Sequence, residues 1–305
     1  MIDVLAIILL LLLMALVSGN NLSVVVGALI SGGILRKYSA FSLALIGYIL
    51  GLILQGSYLS LGANTLFPKN ADNILLIVEF IALLVFIFAH MFGIPTSLSI
   101  ILSSALIGGS LAIGILPNGF YLLSLFLFWI IAPIIGIFAS FFLMKIIKSK
   151  EQSKDIWKRI IKMKIFLLFA SFLNAYSLGA NTLGLVYVLE PRSISDLLLS
   201  IVAIVIGVLA FSKEEIKLIG NKILDIRYTN AAISSFVVAM IVLLATFLSI
   251  PLSNTQVFTA SLFGVRGSYK YKISKRAVGL NIALFWALTS IISIFSVFII
   301  AKLFT

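Results

Sequence analysis

Three observations predict an all-α polytopic membrane protein made of two inverted-topology repeats, each with a broken helix and a re-entrant-type helical hairpin. Of 305 residues, 62% are apolar and only 10% are charged, too little polar surface to coat a water-soluble globule of this length. Apolar runs long enough for helices across roughly 30 Å of hydrocarbon fill nearly the whole chain and leave no room for a soluble domain. The basic residues sort to one side of a single threading, and two polar motifs recur at nearly constant spacing.

Membrane segments are expected near 4–34, 39–55, 72–92, 98–115, 119–147, 164–190, 195–211, 230–250, 255–265 and 277–302. The first opens with VLAIILLLLLMALV at 4–17, with Asp3 rather than a basic cluster before it and no small-residue cleavage pattern after it. It therefore reads as a mature helix, not a removable signal. Gly19-Asn20-Asn21 then interrupts it, as Gly179-Ala180-Asn181-Thr182 interrupts segment 164–190. The heptapeptide SLGANTL at 60–66 reads as a turn after the second helix, although it is identical to 177–183. Segments 72–92 and 98–115 are joined by GIPTSLS, and 230–250 and 255–265 by SIPLSNTQ. These Pro-Ser turns are too lean in charge for ordinary aqueous loops, so each pair is expected to be a hairpin with its tip buried. The run KIIKSKEQSKDIWKRIIKMK at 145–164 alternates apolar and basic residues at helical spacing, as an interfacial linker helix against anionic headgroups does.

With the amino terminus outside and both hairpins returning to the side they left, 19 of the 22 basic residues fall inside, and Lys69, Arg192 and Lys302 remain outside. Cytoplasmic loops are enriched in Lys and Arg, so both termini are expected outside and the central loop in the cytoplasm. The same threading gives a first repeat at 1–147, a basic cytoplasmic linker at 148–163 and a second repeat at 164–305. Gly19-Asn20-Asn21 and Ala180-Asn181-Thr182 correspond at an offset of 161, and Pro95-Thr96-Ser97 and Pro251-Leu252-Ser253 at 156. Inverted repeats with interrupted helices are the architecture of secondary transporters, whose midplane site opens alternately to either side.

An interrupted helix exposes backbone N–H groups at a positively polarised end, so it can hold an anion without charged side chains. Asn and Thr add neutral donors and acceptors. The candidate binding residues are Asn20, Asn21, Asn181 and Thr182 at the interruptions and Ser97, Ser99, Ser253, Asn254 and Thr255 at the hairpin tips. Gly27, Gly32, Gly33, Gly108 and Gly109 read as helix-packing positions. Glu79 is the acidic residue well inside a segment, and such carboxylates are costly and often functional. It is the candidate for proton coupling. His90, near the first hairpin tip, reads as a hydrogen-bonded structural histidine.

At these residues the chain resembles the PiT family of inorganic phosphate transporters, whose two inverted copies each carry a GAND-type motif at a helix break and a P-x-S-T-T-H-type hairpin turn. SGNN at 18–21 and GANT at 179–182 are similar to the first motif, and PTSLSI at 95–100 and PLSNTQ at 251–256 to the second. The resemblance implies transport of inorganic phosphate with Na+ or H+ coupling. The family's aspartates are replaced by Asn21 and Thr182, and its hairpin histidines by Ile100 and Gln256. The family's acidic positions bind coupling sodium and shape the phosphate site, and the similar sulfate permeases also lack them, so sulfate or another tetrahedral oxyanion is the rival substrate.

Other classes fit less well. A membrane-embedded enzyme would need a His and acidic cluster, whereas the chain has one His and one intramembrane Glu. Without cysteine there is no thiolate metal site, and no cofactor is expected. The net charge of +12 lies in loops rather than on a nucleic-acid-binding face. A passive anion channel is the more remote alternative. The expected location is the plasma membrane, with the bilayer and a phosphate or sulfate ion as partners. A homo-oligomer is compatible with the sequence and not fixed by it.

Overall fold

A computed structural model describes residues 2–31, 33–68, 71–91, 97–149, 156–189, 193–222, 228–269 and 276–304. The first hairpin turn with Pro95 and Thr96, the side chain of His90, Gly32 and the middle of the basic linker, 150–155, lie outside the described residues. Among those described the fold is helical throughout. In chain order come α1 (Ile2–Ser31), α2 (Lys37–Gln55), a 3-10 turn (Gly56–Leu59), α3 (Ser60–Leu66), α4 (Asp72–Met91), α5 (Leu98–Ala112) and α6 (Gly119–Ser149). There follow α7 (Ile156–Leu178), a π-helical segment (Gly179–Leu183), α8 (Gly184–Tyr187), α9 (Ile194–Lys222), α10 (Tyr228–Phe247), α11 (Asn254–Gly267) and α12 (Arg276–Lys302).

Among the described residues six stretches are long and apolar enough to cross a membrane: Val4–Ile30, Lys37–Leu66, Gly119–Lys148, Ile160–Tyr187, Thr229–Phe247 and Leu284–Lys302. α5 and α11, with 15 and 14 residues, rise only about 22 Å at 1.5 Å per residue, too short for the hydrocarbon. They are the inner arms of the two expected hairpins, paired with α4 and α10. From Leu98 to Ser110 every residue of α5 is buried. α6 and α12 lie outermost and present apolar faces, including Phe126, Ile130, Phe138 and Phe142 on α6 and Leu288, Ile292, Phe295 and Ile299 on α12. Such a surface suits lipid and not water.

Several sequence expectations change. α1 runs unbroken through Gly19-Asn20-Asn21. The flanking serine hydroxyls bond back within the helix, Ser18 Oγ to the Met14 carbonyl at 2.5 Å and Ser23 Oγ to that of Asn20, so they do not compete for the backbone in an open conformation. The second interruption is a widened π turn from which the helix resumes, not a gap. SLGANTL at 60–66 is helical, carrying the α2 path onward as α3. Of the basic run, 145–149 ends α6 and 156–164 begins α7, and whether one helix joins them falls on 150–155, outside the described residues. Gly27 meets no packing neighbour. Gly33 (φ +63°) closes α1 in the left-handed conformation, donating to Ile30 O while Ile34 donates to Leu29 O, a helix stop that glycine makes without steric cost.

Helices from the two halves pack across each other: α1 on α9, α2 on α7 and the π segment, α5 on α12, and α11 on α6. Glycine seams bring the backbones together. A Cβ on Gly51 would lie 2.0 Å from the Tyr176 carbonyl oxygen, and one on Gly179 would lie 1.9 Å from that of Tyr48. Gly47 meets Ala175 as Gly207 meets Ala15, and Gly108 meets Ile294 O as Gly264 meets Ile137 O. In lipid, where apolar burial gives helices no reason to associate, close van der Waals contact through small residues supplies the cohesion.

This seam is testable by thermal unfolding of the detergent-solubilised protein. Gly51→Ala forces the α2 and α7 backbones apart and is expected to cost about 3 kcal/mol, the upper range for overpacking. Gly27→Ala, with open space around it, is expected to be neutral or to stabilise by up to about 1 kcal/mol through helix propensity.

Candidate functional site

The polar centre is organised by Asn181 in the π segment. The wider turn is closed by the Gly184 N–H, which reaches back to the carbonyls of Asn181 and Gly179. Asn181 is wholly buried and points its carboxamide at the second hairpin tip. Its Nδ2 donates to Thr246 Oγ1 at 2.9 Å and to the Ile250 carbonyl at 3.0 Å, while its Oδ1 accepts from the Leu252 N–H at 2.8 Å. Both amide protons are thus committed to the protein. Asn181 positions the tip rather than offering a free donor.

Other elements hold the same tip. Tyr121 Oη donates to Ser249 O at 2.6 Å and Trp129 Nε1 to Pro251 O at 2.9 Å, both from α6. Ser249 Oγ donates to Tyr58 O at 2.5 Å. Ser249 has φ +58°, a conformation costly for a residue with a Cβ, and these bonds on both its polar groups fix it there. The helical 56–66 stretch packs over it: the Gly62 Cα faces Ser249 O and Tyr121 Oη, and the rings of Tyr58 and Phe247 stand 5.6 Å apart.

The tip then delivers α11. Ser253 is its N-cap, accepting from the Gln256 N–H at 3.2 Å, and its Oγ lies 3.1 Å from Thr255 Oγ1. Asn254 Nδ2 donates to Asn174 Oδ1 at 2.8 Å, tying the start of α11 to α7. Buried beside this contact, Asn174 Nδ2 and Gln256 Oε1 have no partner.

The first hairpin contributes the start of α5. Its N-cap, Ser97, makes no side-chain cap, so the first-turn N–H groups of a buried helix end lack that partner. Ser99 Oγ, in the first turn, donates to Thr182 Oγ1 at 3.3 Å, joining the first hairpin to the second motif across 83 positions of sequence. Thus the structure brings together Ser99 with Thr182, and Asn181, Ser253, Asn254 and Thr255 around the second tip. Asn20, Asn21 and Ser97 lie outside this bonded set, on α1 and at the head of α5. Asn21 is buried and Asn20 half-buried, and Asn21 faces the hydroxyl of Tyr48 on α2. Glu79 stands on α4, wholly buried against protein and about 10 Å along the helix from its start.

Tyr121, Trp129, Tyr48 and Asn174 were not among the sequence candidates for this centre. Tyr48 and Asn174 left a signal, each a polar group inside an apolar run. Tyr121 and Trp129 left none, because aromatics at membrane interfaces are common for other reasons.

The profile of the phosphate transporter family matches residues 17–188 and again 165–296, nearly the whole chain. The protein belongs to the phosphate transporter family. Its fold is that of a solved sodium-dependent phosphate transporter, with a TM-score of 0.83 over 99% of this chain and 98% of the other at 18% identity. In sequence it is 28% identical to a Methanocaldococcus jannaschii protein named for phosphate permease activity, over 69% of each chain. It is 25% identical to the sulfate permease CysP of Bacillus subtilis, over 77% of this chain and 68% of the permease. Family membership makes the chain a membrane transport protein and not an enzyme.

Replacing Asn181 by Ala strands the Ile250 carbonyl and Leu252 N–H in a buried setting, at an expected cost of about 3 kcal/mol. Hydrogen–deuterium exchange over 248–253 is expected to rise in Asn181→Ala and to stay at the wild-type level in Ser99→Ala, which leaves the tip's own bonds intact.

Proposed function

We propose that the protein is a secondary active transporter of a small inorganic oxyanion, phosphate first, working by alternating access with H+ or Na+ coupling. The observation that carries this reading is the meeting of Ser99 and Thr182 beside the α5 N-terminus, which has no side-chain cap. There, backbone N–H groups and hydroxyls from both halves converge in a buried, neutral setting that favours an anion. Asn20, Asn21, Ser97, Ser99, Thr182, Ser253, Asn254 and Thr255 are the proposed ligands, with Asn181 holding the second tip in place for them.

Two repeats, 1–147 and 164–305, joined by the linker at 148–163, form the proposed moving parts. The paired seams support this division. Gly207 and Ala175 stand 160 positions beyond Gly47 and Ala15, and Gly264 stands 156 beyond Gly108, close to the two motif offsets of 161 and 156. Exchanging the halves therefore maps one set of contacts onto the other, as a pseudo-twofold axis requires. The charge bias supports termini outside and the linker in the cytoplasm of a plasma-membrane protein.

Sulfate is the second reading. Asn21 and Thr182 put neutral groups where the family's aspartates stand, and neutral oxygens bind a coupling cation weakly. The similarity to a sulfate permease extends over the larger share of this chain. Uptake of radiolabelled phosphate and sulfate into proteoliposomes, under imposed proton or sodium gradients, decides between them. Accumulation of neither against a gradient would end the transporter reading and leave a channel.

In the same assay Ser99→Ala and Ser253→Ala are each expected to lower uptake at sub-saturating substrate by about tenfold, the worth of one hydrogen bond to a charged group. Wild-type rates in both would remove them from the site. Proton coupling is proposed to pass through Glu79. Glu79→Gln is expected to flatten the dependence of uptake on an imposed pH gradient, and an unchanged dependence would exclude that role.

A further inference from the structure

We propose that the Tyr48 hydroxyl is a direct hydrogen-bond donor to the transported oxyanion and sets which of its oxygens the first half of the protein reads. The inference rests on the transporter reading above. Tyr48 lies mid-way along α2 with 0% exposure and is among the largest fully buried side chains. Its hydroxyl faces Ser18 and Asn21 of α1 but sits outside good hydrogen-bond geometry to either. A phenol normally finds a partner when buried, and one left without it in a membrane interior points to a group that arrives from elsewhere. Ser18 spends its single proton on the Met14 carbonyl at 2.5 Å, so toward Tyr48 it can act only as an acceptor, a weak neutral one that a charged oxyanion oxygen would outcompete.

The main chain of this residue is fixed in place. Its backbone carbonyl is pressed against Gly179, where a Cβ would come within 1.9 Å, so one residue touches the second motif with its main chain and the first with its side chain. In the opposite half, 160 positions on, stands Val208, equally buried. A hydroxyl on one side and an isopropyl group on the other make the centre asymmetric. It distinguishes an anionic oxygen, which accepts a charge-assisted bond, from the opposite face of the same ion. With Asn21 beside it, Tyr48 supplies donor capacity without a fixed charge.

The test compares wild type with Tyr48→Phe, which keeps the ring and removes the proton. Binding of phosphate and of sulfate to the purified protein is titrated by calorimetry, with KM for uptake measured in proteoliposomes. The expected result is a Kd and KM raised about tenfold or more for the transported anion, the effect of losing one hydrogen bond to a charged partner, with unaltered melting temperature when no anion is present. Should Tyr48→Phe melt earlier, ring-fluorinated tyrosine incorporated at position 48 is followed by fluorine NMR. A resonance shift on adding the transported anion, and none on adding chloride, supports direct contact. Unchanged affinity in Tyr48→Phe, or a resonance blind to the anion, would overturn the inference while leaving the transporter reading intact. A wild type that binds neither anion would overturn both.

Discussion

One carboxamide governs the centre of this protein. In a membrane interior a polar group without a partner has no water to fall back on, and the second hairpin tip carries a run of such groups from Ser249 to Leu252. Asn181 meets two of them directly and draws in Thr246 as well. Tyr121 and Trp129 satisfy two more carbonyls from the other side. The left-handed Ser249, the N-cap at Ser253 and the direction of α11 all follow from this arrangement. The π turn follows too: a five-residue reach at Gly184 widens the helix where the side chain must face the tip. Such turns occur often at functional sites.

The centre in turn depends on how closely the halves approach. Backbone against backbone at Gly51 and Tyr176, and at Gly179 and Tyr48, sets α2 against α7 at a distance no side chain would allow. The hairpin arms meet α6 and α12 in the same manner, with Ser104 and Ser290 hydroxyls 2.6 Å apart and Ser140 donating to Ser261 O at 2.7 Å. These contacts are short and directional, so they have few intermediate settings. Tight packing of this kind favours discrete rearrangements over gradual deformation, which is what exposing one site to two sides in turn demands.

The candidate site carries no formal charge among its proposed ligands. A buried ion pair would bring a desolvation cost that geometry must offset. Hydroxyls, amides and a helix end instead offer partial charges already oriented, suited to the anion proposed for this site without a fixed counter-charge. Glu79, buried on α4, is the exception within the membrane. It stands on a different helix from the residues bonded around Asn181.

The all-helical membrane fold and the family were legible in the sequence because they rest on composition and on motif order, which are properties of the chain as written. Asn181, Ser99 and Ser253 were legible as polar residues in apolar runs, but their division into positioning and ligand groups was not. That depends on partners 65 to 83 positions away. The heptapeptide SLGANTL shows the limit most directly. At 60–66 it is α-helical, and Thr65 Oγ1 bonds back to the Leu61 and Gly62 carbonyls at 3.0 and 2.7 Å. At 177–183 the same seven residues enter a π turn whose asparagine holds a distant hairpin. Both copies are helical, although the sequence reads the first as a turn and the second as a break. What neighbours each copy meets, the exposed surface for Asn64 or the hairpin tip for Asn181, was decided by tertiary structure, because a carboxamide takes whichever partners the fold brings within reach.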